Sequence, residues 1–157
     1  MRTVVQRVRE ASVTIDGVLH SSIGAGLLVL AGISREDTEA DLAWMSRKIP
    51  NLRIFEDEEG KMNRSLKDMS GELLVVSQFT LYADASRGNR PGFSESAPPE
   101  VAKALFDCFV ESICREAGCP VETGVFGADM QVSLINDGPV TIILESPKKS
   151  GSSAFLS

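Results

Sequence analysis

The run Leu27-Leu28-Val29-Leu30-Ala31-Gly32-Ile33 limits most what this chain can build. It has no polar position at a strand or a helix period, so neither face can be left to water. A run of this kind suits a central strand buried on both sides. The chain has the material to cover it. Its 157 residues are 43% hydrophobic and 24% charged, the balance of one globular domain with a substantial core.

Other elements follow from pattern and punctuation. Residues 3–8 and 11–15 read as two strands, and Asp16-Gly17 turns the chain into another over 18–23. After the central strand, Ser34 stands where a helix N-cap is expected, with Glu36 and Asp37 in the first turn. Leu42, Met45 and Ile49 fall at helical spacing, Trp44 packs on the same helix, and Pro50 ends it. Arg53-Ile54-Phe55 reads as a short strand, 57–60 as a turn, 62–69 as a loop with a helical turn, and 72–79 as a strand. Residues 83–96 form the one long irregular stretch, a length that is often functional in a compact domain. Pro98-Pro99 open a second helix to about Ala117, with a buried stripe of Val101, Leu105, Cys108, Phe109, Ser112 and Ile113, and Gly118 stops it. Strands over 121–125, 130–135 and 140–145 complete the chain. The residues from Ser146 onward read as a mobile tail, so the organisation is one domain over 1–146 and an extension over 147–157. The sum is an α+β protein, mostly antiparallel, with two principal helices.

Composition excludes several chemistries. His20 is the single histidine, set in a hairpin where solvation is its expected state, so a Ser-His-Asp or Cys-His pair has no base elsewhere. Cys108, Cys114 and Cys119 contain no Cys-x-x-Cys, which leaves no metal site of usual spacing and no disulfide framework. No cofactor is expected. A net charge of −6 disfavours a sequence-blind nucleic-acid binder but is compatible with a pocket that grips one RNA end. The apolar run 23–33 is too short to span a bilayer, and arginines interrupt the N-terminal apolar residues, so a cytoplasmic protein with no membrane partner is expected.

Two stretches carry polar groups at strand ends. Ser77-Gln78-Phe79-Thr80 offers hydroxyls, an amide and a stacking face, together with backbone N–H groups freed where a strand stops. Satisfying a local turn is the alternative use of Ser77 and Thr80. Asn136-Asp137-Gly138-Pro139 breaks two β-rich runs. It reads either as an ordinary reversal or as a segment presenting backbone carbonyls, and the cis form is accessible at a Gly-Pro bond.

Taken together, Ser77-Gln78-Phe79-Thr80-Leu81 and Asn136-Asp137-Gly138-Pro139-Val140-Thr141 resemble the signature pair of D-aminoacyl-tRNA deacylases. Val5-Gln6-Arg7-Val8, Gly24-Ala25-Gly26-Leu27, Arg53-Ile54-Phe55, Gly60-Lys61-Met62-Asn63 and Ala128-Asp129-Met130-Gln131-Val132 extend the resemblance from the first strand to about Glu145. The resemblance implies a hydrolase of the ester joining a D-amino acid to the 3′-terminal adenosine of tRNA. It also implies a homodimer with a β-barrel-like core and active sites at the dimer interface. By the same resemblance, a cis Gly138–Pro139 bond from one chain presents carbonyls to the substrate ammonium in the partner's pocket. That pocket is formed by Ser77, Gln78, Phe79 and Thr80, and the carbonyls leave no room for an L side chain. Carbonyl oxygens are suitable acceptors for an ammonium, and glycine, with no side chain to exclude, is expected to be accepted as glycyl-tRNA. Phe126 and Met130 are candidates for the adenosine pocket, with core packing as the competing role, and Arg87 and Arg90 for phosphates of the acceptor end. Chemistry assisted by the ribose 2′-hydroxyl is expected ahead of Thr80 acting as a nucleophile.

Overall fold

The computed structural model describes residues 1–148, and its sheet is organised along one strand. β1 (Arg2–Ile15) passes without interruption through the two segments that the sequence suggested were separate strands. The exposed pair Arg9-Glu10 breaks the burial alternation, but it has no turn-forming residue, so the strand bulges instead of stopping. At its far end Asp16 and Gly17 both take positive φ, 49° and 75°, as a tight hairpin turn demands, and β2 (Val18–Ile23) returns along it. β3 (Gly26–Gly32) pairs antiparallel with the first half of β1.

The second half of the chain adds two parallel strands and one long one. β6 (Glu72–Ser77) lies parallel to β3, and β7 (Val121–Thr123) parallel to β6. Each is reached by a helical crossover, as parallel neighbours require. α1 (Glu39–Asn51), the small hairpin β4 (Phe55–Glu56) and β5 (Met62–Arg64), and α2 (Leu66–Met69) make the first crossover; α3 (Pro99–Ala117) makes the second. β8 (Gln131–Glu145) then runs antiparallel to β1, with Gln131 opposite Thr14 and Glu145 opposite Arg2. β2 packs back against β6 and β7, so the sheet curls into a nearly closed, barrel-like form. The α+β class, the mainly antiparallel pairing and the two principal helices are as expected.

Two-sided burial of β3 now has its cause. Leu28, with Leu74 and Val76 of β6, points into the barrel against Val8, Val13 and Ile23. Leu27, Val29 and Ala31, with Leu73 and Val75, point outward under α1 and α3, against Met45, Ile49, Phe106, Phe109 and Ile113. Gly26 marks the closest approach of the two strands. A Cβ there would lie 1.9 Å from the Glu72 carbonyl oxygen.

Several sequence expectations are corrected. The break at 136–139 reverses nothing: Val8 faces Asn136 and Gln6 faces Thr141, so residues 137–140 bulge from one continuous β8 opposite Arg7. The two runs share a partner in β1 and so have no need to pair with each other. Ser34 does not cap α1. Thr38 does, with its backbone N–H donating to the Asp41 carboxylate at 2.8 Å, and Pro50 lies within the last turn. Asp37 instead accepts from the Ser34 N–H at 2.7 Å and receives the N-terminal ammonium. The buried stripe of α3 is Ala102, Phe106, Phe109, Ile113 and Ala117, while Val101 and Cys108 are exposed. It is turned by about one position because its phenylalanines take the core and its alanines allow close packing. Ser146 is not part of a loose tail: it is buried, accepts from the N-terminal ammonium at 2.8 Å, and donates to Asp41 at 2.7 Å. Of the extension, residues 149–157 lie outside the described residues.

Candidate active site

β6 ends at Ser77, two residues before the sequence suggested, because the chain turns there into a 3-10 helix over Phe79–Tyr82. Gln78 makes the turn possible. Its N–H still donates to Ala31 O of β3 at 2.8 Å, while its own carbonyl accepts from the Leu81 N–H at 3.2 Å. Such a turn leaves its leading N–H groups, those of Phe79 and Thr80, without an intrahelical partner. Behind it, the Ser96 hydroxyl donates to Phe79 O at 3.2 Å and fixes the turn against the start of α3.

The strand end opens into a cleft of about 630 Å³ between the barrel and α3. Ser77, Gln78, Phe79, Phe126 and Met130 all line it. Phe126 stacks tilted on Phe106 of α3 with centroids 6.0 Å apart, so its packing and lining roles coexist. Phe93, which the sequence reading did not single out, stands beside Phe79 at 5.2 Å and makes an aromatic wall with it. Its only sequence signal is an aromatic residue within a Gly- and Pro-rich loop. Arg35 and Asp129 are the charged residues of the lining, in an otherwise mainly apolar cleft.

The remaining candidates lie elsewhere. Thr80 is exposed next to this wall, outside the lining, and its hydroxyl accepts from the Gln78 side-chain amide. Arg87 and Arg90 are exposed on the loop and make no ion pair among the described residues, while Asp84 of the same loop accepts from the Ser86 N–H at 2.9 Å. The Ser86 hydroxyl, and then that backbone bond, hold the Asp84 carboxyl below the ordinary aspartate range. His20 is exposed on β2. Among the described residues no group of three or more His, Cys, Asp or Glu is placed to hold a metal ion. No helix there is long and apolar enough to cross a membrane.

Gly138 and Pro139 are exposed on the β8 bulge and do not line the cleft of their own chain. The bond between them is cis. Gly138 has φ 131°, and a Cβ on it would lie 2.9 Å from Val140 Cγ2 and 3.1 Å from Arg7 Nη2. Both features call for glycine. Beneath the bulge lies a residue that the sequence reading passed over. Arg7 is 6% exposed, its Nε donates to Asp137 O at 2.9 Å, and its Nη1 donates to Ile54 O at 2.7 Å. A buried guanidinium thus ties the bulge to the segment after α1. The signal was available: Arg7 falls two residues after Val5 in the alternation, on the buried face of β1.

The profile of the D-Tyr-tRNA(Tyr) deacylase family matches residues 4–145. A protein of Chlorobaculum tepidum named D-aminoacyl-tRNA deacylase is 87% identical over 149 residues, covering 95% of this chain and 99% of that one. One of the same name from Thermomicrobium roseum is 59% identical over 153 residues, covering 98% and 99%. Among solved structures, one titled c-Myc DNA Unwinding Element Binding Protein is 49% identical with a TM-score of 0.88, over 94% of this chain and 100% of that one. A probable eukaryotic D-amino acid tRNA deacylase shares the fold, with a TM-score of 0.77 at 19% identity over 92% and 98%.

Proposed function

The chain belongs to the D-Tyr-tRNA(Tyr) deacylase family and is a hydrolase of D-aminoacyl-tRNA, and from that premise we propose how its residues divide the work. The cleft at the end of β6 receives the aminoacylated 3′ end of tRNA. Water attacks the ester carbonyl, the bond to the ribose 3′-oxygen breaks, and the products are the free D-amino acid and tRNA. The N–H groups of Phe79 and Thr80 stabilise the oxyanion, and the terminal ribose 2′-hydroxyl assists the water. Thr80 positions substrate through its contact with Gln78, and a nucleophilic Thr80 has no general base beside it. Phe126 and Met130 hold the adenosine.

Selection falls to the second chain of a homodimer. Gly138 and Pro139 enter the partner's cleft, accept the substrate ammonium through their carbonyls, and occupy the space an L side chain would need. One observation carries this reading: Ser77, Gln78 and Phe79 line one cleft, while Gly138 and Pro139 of the same chain stand exposed outside it. A dimer is supported by β8 itself, a 15-residue strand paired on one side to β1, whose Ile135 and Ile143 are 50% and 67% exposed. A long edge with exposed apolar residues calls for a cover. The working compartment is the cytoplasm, where tRNA is charged.

The test is incubation with D-tyrosyl-tRNA, L-tyrosyl-tRNA and glycyl-tRNA carried on tRNA-Ala. The D and glycyl esters are expected to be cleaved and the L ester to survive. Equal loss of D and L esters would sink the carbonyl screen. Thr80→Ala is expected to keep most activity, and a substrate lacking the 2′-hydroxyl to lose it. The reverse pattern would restore Thr80 as nucleophile. A second reading, RNA-end or nucleotide binding without turnover, draws on the name of the 49%-identical structure, which describes DNA-element binding. Binding of D-tyrosyl-tRNA without hydrolysis would favour it.

A further inference from the structure

α1 carries a feature that the site does not use. Its acidic residues Glu39 and Asp41 lie in the first turn, and its second half is basic. Trp44, Arg47, Lys48 and Asn51 fall at i, i+3, i+4 and i+7, so they share one face, opposite the buried Leu42, Met45 and Ile49. With Leu52 and Arg53 they line a shallow groove of about 410 Å³ that contains no carboxylate. Lys48 Nζ lies 5.7 Å from the centroid of the Trp44 ring. Arg53 is oriented by Asn63, whose carbonyl accepts from Arg53 Nε at 3.0 Å. None of the three cations has an ion-pair partner among the described residues. Arg53 also lies near enough to Asp68 to lower its carboxyl, yet in a chain of net charge −6 a cluster of cations without ion pairs offers a surface to a polyanion. Cations in a last helical turn also complement the helix dipole, and Trp44 packs partly against the core, but Arg53 lies beyond the helix, and neither role accounts for the cations gathered round one groove.

The groove's place in the fold supplies the occupant. Arg53 precedes Ile54, whose carbonyl accepts from Arg7 Nη1, and the same guanidinium holds the Asp137 carbonyl beside Gly138. The groove and the Gly138–Pro139 bulge are therefore joined through one side chain. If that bulge enters the partner's cleft, as the proposed function has it, the groove is carried to the partner's surface with it. We infer that the α1 face formed by Trp44, Arg47, Lys48 and Arg53 binds the sugar-phosphate backbone of the tRNA acceptor arm. Each chain thereby supports the substrate held in its partner. The contact is to phosphates, so it adds affinity without reading sequence.

The test uses the double variant Arg47→Gln/Lys48→Gln, which changes exposed side chains only and leaves the cleft and the bulge intact. Binding of uncharged tRNA is measured by titration at several salt concentrations, beside hydrolysis of full-length D-aminoacyl-tRNA and of a D-aminoacyl-adenosine. Removing two phosphate contacts should weaken tRNA binding roughly tenfold at about 0.1 M salt and lower the log–log salt slope by about 1.5–2. KM for the full-length substrate should rise with kcat unchanged, and cleavage of the short substrate should not change. Unchanged tRNA affinity and salt slope would overturn the inference, and so would an equal loss with the short substrate. A wild-type protein that binds tRNA but hydrolyses neither ester would count against the deacylase mechanism instead, leaving the binding measurement to decide the groove.

Discussion

Replacing Arg7 with methionine probes what holds the bulge proposed to select the amino acid. Methionine keeps an unbranched stem of similar volume and removes the guanidinium, so packing changes little while two hydrogen bonds are lost. Those bonds, to Asp137 O at 2.9 Å and Ile54 O at 2.7 Å, have a charged donor that is 6% exposed. Hydrogen bonds to charged groups contribute about 1.5–3 kcal/mol each, or roughly 3–6 kcal/mol for the pair. Removing the buried charge returns part of its desolvation penalty, so the net loss is expected at about 2–4 kcal/mol. The Asp137 carboxylate, with Oδ2 3.7 Å from Nε and 42% exposure, adds little, as a half-exposed pair does.

Urea unfolding at fixed protein concentration measures this, with the fluorescence of Trp44, the single tryptophan, as the signal. A loss below about 0.5 kcal/mol would show that the latch is not built into stability. A second readout separates latch from selector. With the bulge released, the ratio of D-ester to L-ester cleavage should fall further than D-ester turnover does. A destabilised variant that keeps the wild-type ratio would refute the positioning role.

Three further outcomes follow from the structure. Tyr82 is the single tyrosine, and burial first, then the Asp37 carboxylate, push its phenol up to about 12 against the opposing Arg2 and Ser34. A spectrophotometric titration should therefore show one phenol ionising near 12 in the folded protein, and since the folded value is raised, the stability it contributes is lost as pH climbs from about 10 to 12; ionisation near 10 would refute this burial. Asp41 is held below its ordinary 3.8: burial raises it, and the Thr38 N–H, the Ser146 hydroxyl and the N-terminal ammonium together outweigh that. Its stabilisation is full above about pH 4 and disappears as pH falls through the lowered value, so Ser146→Ala should flatten the acid limb of unfolding free energy against pH, and an unchanged limb would dissociate Ser146 from it. Gly26→Ala should abolish folding or destabilise by more than about 3 kcal/mol, because its Cβ would meet the Glu72 carbonyl at 1.9 Å, whereas Gly24→Ala, with 4.0 Å to a flexible Glu72 carboxylate, should fold and melt near wild type; similar melting of both would refute the close approach.

Strands with strong apolar runs were legible because their burial is local information: Leu27–Ile33 and Leu73–Val76 announce two covered faces whatever lies beside them. The hairpin at Asp16-Gly17 and the two principal helices were legible for the same reason. The continuity of β1 and β8 was not, since it depends on register with a partner about 130 residues away. Arg9-Glu10 and Asn136–Pro139 look like stops in isolation and become bulges when a long partner carries the chain past them. The cleft lining divides similarly. Ser77, Gln78 and Phe79 stand at a strand end that the sequence makes legible, whereas Phe93 reaches the cleft from an irregular loop that no periodicity describes.

A long strand suits the bulge better than the hairpin turn it resembles. A segment proposed to discriminate through backbone carbonyls has no side chain with which to adapt, so its aim depends on whatever fixes the backbone at each end. A hairpin tip is held at its base only and is the part of a sheet freest to move. Here the Val8–Asn136 and Gln6–Thr141 pairs fix both ends against one strand, and the Arg7 guanidinium holds the Asp137 carbonyl, next to Gly138, from below. The four-residue excursion, 137–140, is thereby held at three points, two through backbone pairing and one through a buried cation. The same cation reaches Ile54, so displacing the bulge must also disturb the chain beside the basic face of α1. The proposed selection of the amino acid and the proposed support of the RNA then share one mechanical unit, and Arg7→Met should disturb both while the cleft at Ser77 remains intact.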